Sequence, residues 1–299
     1  MALISFPEAT TEEPLRTRTA VADLPIPEET VITAGRAGRR YVADLWRYRE
    51  LFLFLAWRDL LVRYKQTVVG VSWSVIRPLL TMLVLTLVFG KLGRMAAGSS
   101  MPYPLIVLSG LLPWQFFASA MSESGNSLLA NAGLVSKVYF PRLVIPASTL
   151  VTSLVDFLLS LALLALLLVW YEFVPPATIF WLPAFLLLAI AAAFGTGLWA
   201  AAATVNYRDF RFIVPFVVQF GLYLSPVGFS SRVVPEDLRL LYSLNPMVGI
   251  IDGFRWCVLG SPDGLYWPAL GISIAGSLGL VISGLWYFRH TERSFADVI

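Results

Sequence analysis

Few side chains in this sequence are equipped for bond-making chemistry, and those that stand out do so by their place in apolar runs. Asp156 sits in Val155-Asp156-Phe157, well inside one run, and Glu123 lies at the edge of another. An ionised carboxylate in lipid is costly, so such a group is either paired within the protein or serves a ligand or proton path. A proton relay wants several such groups, and only Asp156 is deep in a run, so a structural pairing and a functional role both stay open. Arg77-Pro78 lies near the start of an earlier run, where the stem can bury while the guanidinium reaches the interface. Phe212, Phe216, Phe220 and Tyr223 recur at steps of four, four and three with Gln219 beside them, which is one face of a helix. Such rings suit sliding contact with the apolar faces of sugars, and they equally suit packing or lipid contact.

The usual equipment of enzymes is missing. The one histidine, His290, lies near the C-terminus, so a His pair is impossible within a chain and no Ser/His/Asp set is evident, and the one cysteine, Cys257, excludes an intramolecular disulfide. No Gly-x-x-x-x-Gly-Lys-Ser/Thr phosphate loop occurs: Gly90-Lys91 is followed by Leu92 and has no glycine loop before it. An integral membrane enzyme acting on lipid-linked sugar would gather carboxylates or histidines at one membrane face, and none gather. A proton-coupled carrier would show internal repeats and more buried ionisable groups, which are absent too.

The elements that must position these residues are membrane helices. Of 299 residues 58% are hydrophobic and 14% charged, with a mean hydropathy of +0.74, against roughly 25% charged in a soluble domain. Six apolar runs, near 73–93, 103–124, 143–170, 178–205, 212–230 and 266–288, are each long enough to cross a bilayer, which takes about 20 helical residues. Net charge is +3, and the basic residues flank these runs, so the membrane surface rather than nucleic acid is the partner expected. With residues before Trp73 in the cytoplasm, seventeen Lys and Arg fall inside and only Lys91, Arg94, Arg232, Arg239 and Arg255 outside. Both termini are therefore expected to be cytoplasmic.

The connections carry features of their own. Residues 1–40, with Pro7, Pro14, Pro25 and Pro27 and no periodic apolar face, read as a flexible tail without a cleavable signal. Residues 44–65, rich in Trp, Tyr, Arg and Leu, read as an amphipathic helix on the cytoplasmic surface. Residues 126–142 form a cytoplasmic loop in which Asn131–Tyr139 would make a short amphipathic helix ending at Pro141, either a docking element for a soluble partner or an uninvolved turn. The proline-rich stretch 225–266 contains the apolar piece Met247–Leu259, too short to span, which reads as a re-entrant helix or a surface helix on an external loop.

Several ordered motifs bear a resemblance. Arg63-Tyr64-Lys65-Gln66-Thr67, Gly70-Val71-Ser72-Trp73, Arg77-Pro78-Leu79, Gly110-Leu111-Leu112-Pro113-Trp114, Lys137-Val138-Tyr139-Phe140-Pro141-Arg142, Tyr207-Arg208-Asp209, Ser225-Pro226-Val227 and Asn245-Pro246-Met247 follow one another. In that order they resemble the ABC type-2 permeases that export lipid-linked polysaccharide, of the O-antigen, capsule and teichoic-acid type. The likeness covers about residues 44–290.

The resemblance implies an all-α integral membrane protein of six transmembrane helices in the bacterial cytoplasmic (inner) membrane. Residues 1–40 would be a cytoplasmic tail, 41–66 the interface helix, 67–290 the transmembrane domain with its re-entrant segment before the last span, and 291–299 a cytoplasmic C-terminal tail. It implies a homodimeric channel served by two copies of a separate ATP-binding subunit, which would hold ATP and magnesium, with no cofactor and no catalytic or metal site on this chain. Coupling to that subunit would fall on Asn131, Leu134, Val135, Lys137, Val138, Tyr139, Phe140, Pro141, Arg142, Arg208 and Asp209. The lipid-linked glycan would enter by Arg58, Arg63, Lys65 and Arg77, and Phe212, Phe216, Gln219, Phe220 and Tyr223 would line the channel. A permease of the same architecture exporting a drug or small lipid is the alternative.

Overall fold

The long apolar runs form helices because lipid offers backbone amides no partner, leaving intrahelical hydrogen bonds as the way to satisfy them. The computed structural model describes residues 45–65, 70–93, 101–260 and 264–295, all within one unit, Val42–Ile299. The predicted tail 1–40, and Gln66 and Thr67 of the first motif, lie outside the described residues. Among those described there is no strand.

Among the described residues, the α-helices from Arg49 onward are in order α1 Arg49–Lys65, α2 Gly70–Leu85, α3 Tyr103–Ala130, α4 Ala132–Lys137, α5 Val144–Trp170, α6 Leu182–Asn206, α7 Phe210–Leu224, α8 Glu236–Tyr242, α9 Pro246–Leu259 and α10 Trp267–Thr291. The end of α2 widens into π-helical turns at Thr86–Leu92, and 3-10 turns precede α6 and follow α10. Five segments, Ser72–Leu92, Tyr103–Ala130, Val144–Trp170, Ala177–Asn206 and Trp267–Thr291, are long and apolar enough to cross a membrane.

The sixth predicted run behaves differently. Sequence hydropathy carries it from 212 to 230, but α7 has 15 residues, about 22 Å at the helical rise, less than a hydrocarbon core. It stops at Leu224 because Ser225-Pro226 leaves the helix, and the apolar residues beyond form a turn. The count of helices long enough to span is thus five among the described residues, with α7 a shorter apolar helix.

α3 is the most buried of the long helices and packs against α5, α6 and α9. α6 and α10 run in the same direction, since Gly195 lies against Leu280 and Gly284, and Trp199 stacks on Tyr287 with its indole N–H donating to Ser283 Oγ at 3.1 Å. A Cβ on Gly284 would stand 2.5 Å from the Gly195 carbonyl oxygen, so glycine permits direct backbone contact at this crossing. Because the two helices are parallel, residues 207–266 must bring the chain back to the end where α6 began.

α9 is a 14-residue helix, too short to span, and it is buried among α3, α6 and α10. Its start follows from Asn245, whose side chain accepts from the Met247 amide at 3.0 Å, with Pro246 in the first turn where its missing N–H is harmless. Gly260, at φ +71°, ends it. Arg255 of α9 donates to the carbonyls of Pro226 at 2.7 Å, Val227 at 3.2 Å and Phe229 at 3.3 Å, pinning the turn that follows α7.

Candidate functional site

Arg63 ties three helices together. It is in the last turn of α1, its guanidinium pairs with Glu123 of α3 and with Asp156 of α5, and the three charges border an open cleft of about 990 Å³. α1, α2, α3, α5 and α7 supply the walls. α3 contributes Gln115, Ser119, Ser122 and Glu123, which recur at steps of four, three and one and so share a helix face. α2 contributes Trp73, Ser74 and Arg77, and α7 contributes Val218, Gln219 and Leu222.

The polar groups are knitted together. Asp156 Oδ1 accepts from Tyr64 and from Ser74, both at 2.6 Å, while Glu123 accepts from Ser119 at 3.0 Å and from Ser153 at 3.2 Å. Pro78 cannot donate to the Ser74 carbonyl one turn earlier, and the Ser160 hydroxyl, shared with the Asp156 carbonyl at 2.9 Å, comes within 3.3 Å of that oxygen. Burial works against the Arg63 charge, yet Glu123 and Asp156 more than offset it and hold the guanidinium above its ordinary value. Burial, reinforced by the hydrogen bond to Asp156, pushes the Tyr64 phenol up to about 12, so it remains a donor at neutral pH. Asp156 thus has a set of structural partners, the simpler of the two roles open to it from the sequence.

Of the four cations expected to meet the substrate, the cleft gathers two. Arg63 is neutralised by two carboxylates, whereas the Arg77 side chain lines the cleft without an ion pair among the described residues. Arg58 turns elsewhere: it pairs with Asp59 at 2.7 Å and donates to Asn131 Oδ1 at 2.8 Å. Lys65 borders a smaller groove along α1 with Phe54, Trp57 and Leu61. Gln219, at the edge of the aromatic stripe, lines the cleft, but Phe212, Phe216, Phe220 and Tyr223 do not line it and are exposed, with the Phe216 and Phe220 rings 4.2 Å apart.

The segment 131–142 divides into two surfaces. Lys137, Val138 and Tyr139 are exposed and Leu134 partly so, while Val135, Phe140 and Pro141 are buried. Phe140, only 4% exposed, anchors the segment rather than presenting it. Arg142 is engaged with Glu292 beyond the end of α10, and the Tyr48 hydroxyl donates to the Tyr139 carbonyl at 3.4 Å. Arg208 and Asp209 are exposed in the turn between α6 and α7. Among the described residues no group of His, Cys, Asp and Glu forms a metal-ligand set.

The sequence profile of the ABC-2 type transporter family matches residues 50–259, which span α1 to α9 and every wall of the cleft. The chain belongs to the ABC-2 type transporter family. This ABC-2 transporter chain is similar to the O-antigen export system permease protein RfbA of Myxococcus xanthus, 31% identical over 218 residues that make up 72% of this chain and 83% of the relative. RfbA of Klebsiella pneumoniae is 27% identical over 251 residues, 84% of this chain and 95% of that protein. The polysialic acid transport protein KpsM of Escherichia coli is 24% identical over 212 residues, 69% and 80% of the two chains. Sequence alone did not reveal that Glu123, Asp156 and Arg63 form one group, since these residues are 60 and 33 positions apart along the ABC-2 transporter chain.

Proposed function

We propose that this chain is the transmembrane permease subunit of an ATP-driven exporter that moves a lipid-linked polysaccharide out of the cytoplasm of a bacterium. The observation that carries the reading is the cleft, which lies between α1 and the long helices and offers a guanidinium without an ion pair among the described residues, Arg77, beside a strip of hydroxyls and amides. That combination suits a phosphate joined to a sugar, with the anchor's hydrocarbon chain left in lipid. The names of the relatives agree with a glycan as cargo.

In this reading two copies of the chain form the channel in the inner membrane, and two ATP-binding subunits dock on the exposed side of residues 131–142 and on Arg208-Asp209. α7 completes a sixth crossing, which the parallel course of α6 and α10 supports, and both termini lie in the cytoplasm. α8 and α9 form the re-entrant pair near the outer mouth, and the aromatic face of α7 borders the path of the polymer. Nucleotide-driven motion of the docked subunits alternates the permease pair between two arrangements.

Deleting the gene in its native host tests this. Loss of a surface polymer, with its lipid-linked form retained inside the cell, is the expected result and would identify the cargo. Unchanged surface glycan and unchanged precursor, with no second exporter present, would overturn the reading.

A further inference from the structure

Two helix ends meet at Arg142 and Glu292. The backbone N–H of Arg142, just before the start of α5, donates to Glu292 Oε1 at 2.9 Å, and the Arg142 guanidinium donates to the Glu292 backbone carbonyl just past the end of α10. The exchange is reciprocal in electrostatic terms as well. A carboxylate sits at the positive end of α5, which has no side-chain cap from Leu143, and a guanidinium sits at the negative end of α10, where carbonyls lack intrahelical donors. The joint is reinforced by Phe295, which is fully buried, lies 6.0 Å beneath the Arg142 guanidinium and meets Phe288 of α10 edge-on at 5.3 Å. The first residues after α10 are therefore docked, in the stretch expected from sequence to be a tail.

The joint ties together the ends of two helices that have little direct packing of their own. α5 packs on α3, α1 and α6, and α10 packs on α6 and α9, so α5 and α10 otherwise communicate through α3 and α6. The residues immediately before Arg142 are the exposed Lys137, Val138 and Tyr139 and the buried Phe140.

We propose that the Arg142–Glu292–Phe295 clasp transmits displacement of residues 131–142 to α10, and through α10 to α9. Glu292 and Phe295 are positioning residues: they touch neither nucleotide nor cargo. The inference rests on the reading of 131–142 as the segment contacted by the ATP-binding subunit. Without the clasp a push on that segment reaches the last span only indirectly, through α3 and α6, and moves α10 less.

The test uses the full permease co-expressed with its ATP-binding subunit, comparing the wild type with Glu292→Ala, Glu292→Gln, Phe295→Ala and Phe295→Leu. Readouts are co-purification of the ATP-binding subunit, ATP hydrolysis by the purified complex, and surface polymer in cells. Glu292→Ala and Phe295→Ala are expected to co-purify and hydrolyse ATP as the wild type does, while surface polymer falls about fivefold or more, the lower end of ordinary coupling between sites. Glu292→Gln keeps an acceptor for the Arg142 amide and restores at least half of the export. Phe295→Leu fills the space without a ring beneath the guanidinium and exports about two to three times less than wild type at normal abundance. Export by both alanine variants within about twofold of wild type overturns the clasp, and so does full export by Phe295→Leu where Phe295→Ala fails to accumulate. Loss of co-purification in Glu292→Ala also overturns it, because the residue would then serve docking. Failure of the wild-type permease itself to retain the ATP-binding subunit would instead remove the underlying reading of 131–142.

Discussion

Arg63 and Asp156 form an ion pair that fastens the last turn of α1 to the middle of the bundle, and Tyr64, the next residue, donates to the same carboxylate. Consecutive residues of one helix thus grip a single acid on α5, with Glu123 of α3 completing the arrangement. Asp156→Asn retains a hydrogen-bond acceptor but loses the charge. It should cost about 1.5–3 kcal/mol, the range for hydrogen bonds to charged groups, read as a lower midpoint of thermal unfolding in detergent. A midpoint at or above the wild-type value would mean that the pair does not hold α1 in place.

Tyr64→Phe removes one arm of that grip, and its effect should depend on pH. Burial and the hydrogen bond to Asp156 push the phenol up to about 12 in the folded chain from an ordinary value of 10.0, so the folded state holds its proton more tightly. The stability contributed by Tyr64 is then fully present below about pH 10 and is lost as pH rises through 12. The stability difference between wild type and Tyr64→Phe should be flat through neutral pH and shrink on the alkaline side, measured by chemical unfolding across a pH series. A difference that grows with alkalinity would contradict the hydrogen bond.

Arg77 is the cleft cation without an ion pair among the described residues, so its removal should leave the fold nearly untouched. Arg77→Gln is expected to shift unfolding by less than about 0.5 kcal/mol while reducing surface polymer about tenfold, the scale of one charge-assisted phosphate contact. Arg77→Lys should recover part of the export. Export at the wild-type level in Arg77→Gln would place the anionic group elsewhere.

Tyr139 and Phe140 are neighbours with opposite exposure, 70% and 4%, and charge should separate them. Tyr139→Asp is expected to weaken co-purification of the ATP-binding subunit with the permease still folded. Phe140→Asp buries a carboxylate and should destabilise the permease itself by about 3 kcal/mol or more, seen as reduced accumulation in the membrane. Equal behaviour of the two variants would refute this division of the segment.

The five long helices were legible because a hydrophobic run of more than 20 residues has one structural solution in lipid, and their edges fall within a few residues of the expected ones. The sixth was misjudged in length, since Val227 and Phe229 extend the apolar run whereas Arg255 binds their carbonyls and holds them in a turn. Nothing local announces that bond: Arg255 is 26 and 28 residues away from its acceptors. The site shows the same limit. Asp156 and Glu123 were conspicuous as charges near lipid, and Arg63 as a cation, but their union requires α1 to fold back across α3 and α5. The aromatic stripe of α7 was legible as a face; that its Gln219 edge borders the cleft while its rings do not follows from the packing of α7 on α3.

The glycine contact between α6 and α10 has a mechanical corollary. With Gly195 and Gly284 touching through their backbones, and Trp199 stacked on Tyr287 one turn further along, the two helices have no slack between them and behave as a single beam. Because they are parallel, their C-terminal ends lie together, Asn206 leading into Arg208-Asp209 and Thr291 into Glu292. A force delivered at either of those places reaches the same rigid body, so two separated points of contact would have to agree in direction for the beam to tilt.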